Sequence, residues 1–400
     1  MNDPVYGFIN IPHSIVFDLI EHSYFQRLRR IRQLGMTELV YPGAVHSRFQ
    51  HALGAMHLMT LAIEVLKQKG NAITDEEAEA ACIAILLHDI GHGPFSHALE
   101  SNIVSGVSHE QLSLLLMQQI NSEFNNKLQL AIELFRGKYH KKFLHQLISS
   151  QLDMDRLDYL RRDSFFTGVS EGVVSSDRII KMLEVHNDEL VVEAKGIYSI
   201  EKFLIARRLM YWQVYLHKTV LSAELMLIQV LQRARTLIAE GLIVNCSDAL
   251  YYFLSNSIAV KGNDMLLNFT RLDDTDIIHS LKLWSQHSDI VLSYLAGAII
   301  NRRLLKVQLQ KESFDTEQLE RLRKIASEKM NISASEAQQL VFTDVVSNNA
   351  YSYADDQIHI LIHGKTIDIA QASDMLNHQV LSKTVTKNIL CYPKEISGFV

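Results

Sequence analysis

Residues 86–97 concentrate side chains that could bind a metal ion and move protons. They read LLHDIGHGPFSH and continue an alanine-rich, apolar run over residues 76–87. That run has the composition of a buried helix, which the glycines and the proline behind it would end. The adjacent His88 and Asp89 would then lie at the end of this helix and offer nitrogen and oxygen ligands for a divalent ion. A doublet alone is also compatible with a core histidine beside a capping aspartate, so the other segments decide its meaning.

Two further segments carry ligand-type side chains near predicted helix breaks. His51 follows SRFQ in the first turn of a helix with a buried stripe of Ala, Leu and Met, and Asp155 lies in LDMDRLDYLRRD. Helices that converge on one point are the way in which a helical bundle builds a metal site. Together with His88 and Asp89, the side chains of His51 and Asp155 would give mixed nitrogen and oxygen coordination that stays open to water. Such a site suits Mn, Fe, Zn, Ni or Mg better than a sealed structural zinc.

The helix that carries Asp155 groups polar side chains on one side. At about 100° per residue, roughly one quadrant of this helix holds Asp155, Tyr159, Arg162 and Asp163. Such a group either holds a ligand or pairs internally, as a salt-bridge ladder does on an exposed helix face. Both interpretations stay open at this point.

A second polar stripe is predicted on a long helix over residues 201–231. Its members, at i, i+4, i+8 and i+11, are Arg207, Tyr211, Tyr215 and Lys218. Two cations interleaved with tyrosines would suit a polyphosphate flanked by a sugar or a base. Amphipathic packing with snorkelling cations is the alternative.

The elements that must position these side chains are predicted to be mainly helical. The 400 residues, 48% of them hydrophobic, suffice for one large domain and a small one. No proline lies between Pro94 and Pro393, which favours a mostly α middle. We expect a helix over residues 15–34, a β-hairpin near residues 188–200, and mixed strands and helices after residue 301. The predicted division is therefore a helical domain over 1–301 and a small C-terminal α+β lobe over 302–400.

Charge and composition bear on partners and compartment. The net charge of −6 implies no general affinity for nucleic acid. Three scattered cysteines have no metal-type spacing and suit a reducing compartment. The first residues lack the features of a signal peptide, and no apolar run reaches the roughly 18 residues of a membrane span. We expect a cytoplasmic protein without a membrane partner.

The motifs together resemble one enzyme family. In this order, SRFQHALG, LLHDIGHGPFSH, SHEQ, MDRLDYLRRD and YLHK are similar to the deoxynucleoside triphosphate triphosphohydrolases of the HD superfamily, and FQRLRRIRQLG and VYPGA ahead of them match as well. The resemblance covers roughly residues 1–220. It implies an HD-domain helical bundle with one or two divalent ions. It also implies hydrolysis of deoxynucleoside triphosphates to deoxynucleoside and inorganic triphosphate, by water attack on the α-phosphorus. Relatives assemble as dimers to hexamers, so a homo-oligomer is expected.

The resemblance also implies roles for single residues. The residues implied as metal ligands are His51, His88, Asp89 and Asp155. The histidines around the scissile phosphate are His92, His97 and His109, with His97 as the acid for the leaving 5′ oxygen. Deoxyribose contacts are Gln33, Leu34, Tyr159 and Asp163, and phosphate contacts are Arg48, Arg156, Arg207 and Lys218. Tyr215 neighbours the sugar or base, and Tyr211 stands where relatives often carry histidine in the base pocket. Gln26 and Arg29 resemble part of a regulatory nucleotide pocket.

Two other functions remain open from the sequence. The first is another HD-type hydrolase, a nucleotidase or a phosphodiesterase that acts on other nucleotides. The second is a catalytically silent HD-fold nucleotide sensor whose C-terminal lobe binds a partner.

Overall fold

Helices dominate the structure, which confirms the mainly α fold class. A computed structural model of the chain describes residues 1–95, 99, 106–256, 262–348, 357–375 and 385–400. The first helices are α1 Ser14–Glu21, α2 Ser23–Gln26, α3 Arg48–Gln68, α4 Asp75–Leu87, α5 His109–Glu123, α6 Gln129–Phe135, α7 Lys142–Ile148, α8 Met154–Thr167 and α9 Ser176–Met182. The later ones are α10 Ile197–Met210, α11 Lys218–Ala239, α12 Asp248–Ser255, α13 Asn263–Arg271, α14 Asp274–Trp284, α15 Ile290–Ile300, α16 Thr316–Met330, α17 Ala334–Leu340 and α18 Ile369–Ala372.

The strands of the described residues form three small sheets. They are β1 Asn2–Asp3, β2 Gly7–Phe8, β3 Leu183–His186, β4 Glu189–Glu193, β5 Lys306–Gln310, β6 Phe342–Asn348, β7 His359–Ile362, β8 Lys365–Asp368 and β9 Val385–Tyr392. The strand orders are β1-β2, β3-β4-β7-β8 and β5-β9-β6. The β4–β7 pair is parallel, and the other pairs are antiparallel.

Helix α4 lies in the core of the helical part. Its residues from Ala80 to Leu87 are all buried, and it packs against α3, α6 and α7. A helix that is apolar on every side has to be covered on every side, which explains its central place. The Thr74 hydroxyl accepts from the Glu77 N–H and the Glu77 carboxylate accepts from the Thr74 N–H, so a capping box begins the helix. The core therefore determines where its last turn delivers His88 and Asp89.

The helix predicted over residues 15–34 is broken. Helix α1 ends at Glu21 because His22 is extended, and its ring Nδ1 accepts from the Tyr24 N–H and so begins α2. A 3₁₀ turn follows at Arg27–Arg30. Gly35, the residue directly after the predicted helix, begins a second 3₁₀ turn, Gly35–Leu39.

The long helix predicted over residues 201–231 is also broken. Helix α10 passes into a π-helical turn at Tyr211–Tyr215, and α11 begins at Lys218 after a bend of 58°. His217 causes the restart, since its ring accepts from the Thr219 N–H. Within the described part of the chain no single helix has both the length and the apolarity to cross a membrane. The helices on either side of this bend meet those two criteria only when counted together.

The hairpin and the C-terminal segments are joined in one sheet. The hairpin is β3–β4, so it begins at residue 183 rather than 188 and ends at 193 rather than 200, and Gly196 lies in a 3₁₀ turn after it. Its two-residue turn is Asn187-Asp188, both with positive φ, as the twist of a tight hairpin requires. Strand β7 pairs with β4. The division at residue 302 stays a prediction, and strands from both sides of it share a sheet.

Candidate active site

Three helices bring metal-ligand atoms together. His51 on α3, His88 directly after α4 and Asp155 on α8 each offer an atom, and these atoms all lie within 4.8 Å of one another. Asp155 Oδ1 is 3.0 Å from His51 Nε2 and 3.5 Å from His88 Nε2. Helix α3 packs against both α4 and α8, so the cluster lies where the three helices meet.

The hydrogen bonds of the two imidazoles leave the correct atoms free for a cation. His51 Nδ1 lies 2.7 Å from Asp158 Oδ2, and His88 Nδ1 lies 2.6 Å from the Ile85 carbonyl oxygen. Both partners are acceptors, so each Nδ1 carries the hydrogen and each Nε2 presents a lone pair to Asp155. Both Nε2 atoms are buried without a hydrogen-bond partner among the described residues. This donor set fits a divalent cation.

The electrostatics of the cluster also favour positive charge. Burial lowers the pKa of His51, but the neighbouring carboxylates of Asp155 and Asp158 outweigh burial and raise the pKa to about 10. The two carboxylates therefore stabilise a proton where a metal ion would otherwise supply the charge.

Asp89 lies at the edge of the cluster. Its Oδ2 is 2.5 Å from Arg48 Nη1 and 3.7 Å from His51 Nε2. Its Oδ1 is 3.3 Å from His88 Nε2 and 3.2 Å from His92 Nδ1. Burial raises the pKa of Asp89, but its charged neighbours hold the pKa well below the usual range. Asp89 is thus an ionised carboxylate shared between the cluster and the arginine.

A buried ion-pair chain supports His51 from behind. Asp158 accepts from Arg162 with both carboxylate oxygens, and Arg162 Nη1 donates to Asp3 at 2.8 Å. A Cβ on Gly54 would lie 2.0 Å from Asp158 Oδ1, so only glycine lets α3 approach α8 this closely. The sequence prediction did not assign Asp158. The sequence feature that could have identified Asp158 is its i, i+3 spacing from Asp155 on the same helix.

The turn after Asp89 packs directly on α5. A Cβ on Gly91 would lie 2.2 Å from the Ser113 amide nitrogen and 2.3 Å from the His109 carbonyl oxygen. The Gly91 N–H donates to Ser113 Oγ at 2.9 Å. This close approach places the His92 and His109 rings 4.1 Å apart, measured between centroids. His97 falls outside the described residues.

A cavity of about 420 Å³, within the usual range for a small-molecule site, opens beside the ligand cluster of His51, His88 and Asp155. The side chains that line it are Gln33, Leu34, Thr37, Arg48, Asp89, His92, His109, Asp155, Arg156, Tyr159, Asp163, Tyr211, Tyr215, Leu216, Leu221 and Glu224. Most of them are residues that the sequence singled out. Thr37, Leu216, Leu221 and Glu224 were not.

Cations and tyrosines are combined in this wall. Arg156 is oriented by its Nε, which donates to the Ser150 carbonyl oxygen at 2.6 Å. Arg207 does not line the cavity, but it is buried close to Tyr159, and its Nε and Nη1 have no hydrogen-bond partner among the described residues. Burial raises the pKa of Tyr159, whose hydroxyl stays protonated. Tyr211 and Tyr215 meet edge to face, with centroids 5.2 Å apart.

Asp163 is held by two partners. It accepts from the Tyr215 hydroxyl at 2.8 Å, and its other oxygen lies 2.7 Å from His46 Nε2. The His46 ring stacks on Phe166 at 4.5 Å. The sequence prediction did not include His46. It follows VYPGAV in a loop, so only the packed structure brings it to α8.

The position of Lys218 differs from the predicted stripe of Arg207, Tyr211, Tyr215 and Lys218. The bend after Tyr215 separates Lys218 from the tyrosines, and it lines a different cavity with Arg302, Lys306 and Lys394. Lys218 therefore lies outside the candidate active-site cavity, and its phosphate contact stays a prediction. Gln26 and Arg29 lie outside the active-site cavity as well, and Arg29 Nε donates to Gln26 Oε1 at 2.7 Å.

Comparisons with known proteins agree with this geometry. The model of the HD domain matches residues 48–163, and the model of the HD associated region matches residues 174–253. The chain is 35% identical to the uncharacterized protein YwfO of Bacillus subtilis, over 76% of this chain and 70% of YwfO. It is 33% identical to a deoxynucleoside triphosphate triphosphohydrolase SAMHD1 homolog of Dictyostelium discoideum, over 57% of this chain and 48% of that protein.

A solved structure extends the likeness to nearly the whole chain. A phosphohydrolase from Bacteroides thetaiotaomicron is 54% identical, with a TM-score of 0.96, and the match covers 98% of this chain and 99% of that one. The chain belongs to the HD superfamily of phosphohydrolases, in the family of proteins similar to the deoxynucleoside triphosphate triphosphohydrolases.

Proposed function

We propose that this HD phosphohydrolase hydrolyses deoxynucleoside triphosphates to deoxynucleoside and inorganic triphosphate. One observation carries the proposal. The ligand cluster of His51, His88 and Asp155 adjoins a cavity of about 420 Å³ whose wall combines arginines and histidines with tyrosines and apolar side chains. A polyphosphate needs the arginines and histidines for binding, and a nucleoside needs the tyrosines and apolar side chains.

His51, His88 and Asp155 would hold the divalent cation, with Asp89 beside them. A cation held there would supply the Lewis acidity that polarises a phosphoryl oxygen and lowers the pKa of water, which is the chemistry that attack on the α-phosphorus requires.

The arginines neutralise the phosphates. Arg48 and Arg156 line the cavity beside the cluster. Arg207 is buried close to Tyr159, and its Nε and Nη1 have no hydrogen-bond partner among the described residues. Fixed cations of this kind stabilise the charge that spreads over the phosphoryl oxygens in the transition state.

Histidines handle the proton. The leaving 5′ oxygen needs an acid, and a histidine titrates in the range that this task demands. We assign the acid to His97, as the sequence predicts. His92 and His109 stand together at the cavity wall and orient the reacting phosphate.

The tyrosine side of the cavity suits a deoxyribose. Tyr159, Tyr215 and Asp163 form one hydrogen-bonded and edge-packed group, and Gln33 and Leu34 line the same cavity. Tyr159, if packed beneath the sugar, would exclude a 2′-hydroxyl by contact, so we expect ribonucleotides to be poor substrates. The triphosphohydrolase named among the relatives supports this choice of substrate.

Product separation tests the proposal. The purified protein, loaded in turn with Mn²⁺, Mg²⁺, Fe²⁺, Zn²⁺ or Ni²⁺, is incubated with each deoxynucleoside and ribonucleoside triphosphate. We expect deoxynucleoside and inorganic triphosphate, and loss of both products in Asp155→Ala. Asp177→Ala, which removes a carboxylate that is 67% exposed, serves as the control with unchanged activity. Release of orthophosphate or pyrophosphate would instead identify a nucleotidase or phosphodiesterase.

A further inference from the structure

An acidic side chain lies in the otherwise apolar part of the cavity wall. Glu224 follows Leu221 by one turn of α11, and both line the cavity. Its neighbours Ala223 and Leu225 are buried, whereas Glu224 is half-buried because its carboxyl group faces the cavity. Oε1 lies 3.6 Å from the position that a Cβ on Gly35 would take, directly after Leu34. The carboxyl group is therefore part of the binding surface.

This carboxyl group has no partner in the part of the chain that the structure describes. No hydrogen bond or ion pair joins it to another described residue, although enclosing a polar group without a partner costs free energy. Burial raises its pKa to about 8, and no charge among the described residues opposes that shift. Near neutral pH the group is thus mostly an uncharged acid, with one O–H donor and one carbonyl acceptor.

The position of Glu224 identifies the part of the ligand that it meets. Phosphates belong beside the metal cluster, Arg48 and Arg156. A nucleoside would occupy the remaining wall of this cavity, to which Leu216, Leu221 and Glu224 belong. On the basis of the proposed function, we infer that Glu224 hydrogen-bonds the Watson–Crick edge of the nucleobase and lets the site accept all four bases.

The chemistry of the bases explains this tolerance. Each base has a donor next to an acceptor on that edge: N6–H and N1 in adenine, N4–H and N3 in cytosine, N1–H and O6 in guanine, N3–H and O4 in thymine. An uncharged carboxylic acid complements every one of these pairs. An ionised carboxylate offers acceptors alone, which only the N1–H and N2–H donors of guanine match. Glu224 therefore distinguishes a base from no base, rather than one base from another.

Two variants of the full-length, metal-loaded protein test the contact. Glu224→Gln keeps one donor and one acceptor, and Glu224→Met keeps the length without either. The substrates are the four deoxynucleoside triphosphates and the abasic deoxyribose 5′-triphosphate. We expect Glu224→Met to raise KM about 10-fold for all four nucleotides with kcat nearly unchanged, the scale of one or two hydrogen bonds. Glu224→Gln stays within about 3-fold of the wild type, and the abasic compound is turned over equally by all three proteins.

Each other result contradicts the inference. An equal loss on the abasic compound would place the contact on the sugar, and an unchanged KM in Glu224→Met would remove the contact. If Glu224→Met fails to fold, Glu224→Asp replaces it. That variant withdraws the acid by one methylene and should lose affinity for the nucleotides but not for the abasic compound.

The inference and the proposed function fail in different ways. If the wild type binds deoxynucleoside triphosphates without releasing triphosphate, the proposed function is wrong. The ratio of Kd between wild type and Glu224→Met, measured by calorimetry, then still decides the base contact: a ratio near 10 supports it, and a ratio near one overturns it.

Discussion

At the residue scale, the metal site depends on atoms that the ligand motif does not contain. The sequence motif predicts His51, His88 and Asp155 because ligand-type residues fall near helix breaks. It does not show that His51 Nδ1 meets Asp158, because that contact exists only when α3 packs on α8. Asp158 determines the tautomer and orientation of a ligand, so its removal is a direct test of the site.

We expect Asp158→Asn to weaken metal binding by about 10- to 100-fold, because the amide no longer holds the His51 Nδ1–H as a carboxylate does. Equilibrium dialysis with Mn²⁺, at a temperature where the variant is folded, measures this. Asp163→Asn is the matched control, since it makes the same change on the same helix but contacts His46 and Tyr215. Equal affinity in wild type and Asp158→Asn would show that Asp158 does not position the ligand.

Glu224 also predicts how stability depends on pH. Its pKa rises from the ordinary 4.5 to about 8 on folding, so between these values the folded state keeps a proton that the unfolded state releases. The free energy of unfolding contributed by this group therefore falls as the pH rises from about 4.5 to 8. Glu224→Gln does not titrate and avoids the loss. It should match the wild type near pH 4 and exceed it by on the order of 5 kcal/mol above pH 8.

Urea denaturation of both proteins across this pH range measures the difference. The other titratable groups around the cavity are present in both proteins, so their contributions cancel: Arg48, Asp89, His92, His109, Asp155, Arg156, Tyr159, Asp163, Tyr211 and Tyr215. A stability difference that does not change with pH would contradict the raised pKa.

At the element scale, the sequence predicts where helices are better than where they break. The apolar composition of α4 and its capping box identify that helix. The breaks at His22 and His217 depend on ring nitrogens that accept from backbone N–H groups, and histidine is not a typical signal of a helix start. For this reason the sequence pattern predicts one continuous helix through α10 and α11, with Lys218 beside the tyrosines.

The approach of α3 to α8 gives a prediction for Gly54. We expect Gly54→Ala to lower the free energy of unfolding by about 1–3 kcal/mol, because the new methyl group would overlap the Asp158 carboxylate and the Arg162 guanidinium. Gly297→Ala in α15 is the matched control. Its methyl group would meet atoms no nearer than 3.7 Å, so helix propensity should leave it as stable as the wild type or up to about 1 kcal/mol more stable. Urea denaturation compares them, and equal stability of Gly54→Ala and Gly297→Ala would contradict the close approach.

At the scale of the whole molecule, the C-terminal segments complete the sheet that the hairpin begins. Strand β7 lies beside β4, where Ile360 pairs with Val192 and is fully buried. Local patterns predict the strands after residue 302 but not a parallel partner far earlier in the chain, since neither β4 nor β7 carries a turn that would fix that pairing.

A shared sheet predicts cooperative unfolding. We expect a single calorimetric transition for the chain, and Ile360→Asp should lower its Tm as a whole, because it buries a charge between β4 and β8. Lys365→Asp on β8 is exposed and should leave Tm nearly unchanged. Two transitions, of which Ile360→Asp shifts only one, would mean that the parts before and after residue 302 unfold independently.

The central claim is that water attacks the α-phosphorus of a deoxynucleoside triphosphate at the His51, His88 and Asp155 cluster. Turnover in water enriched in ¹⁸O tests it most directly, with mass spectrometry of both products. We expect one labelled oxygen in the inorganic triphosphate and none in the deoxynucleoside. A label in the deoxynucleoside, or in released orthophosphate or pyrophosphate, would contradict it.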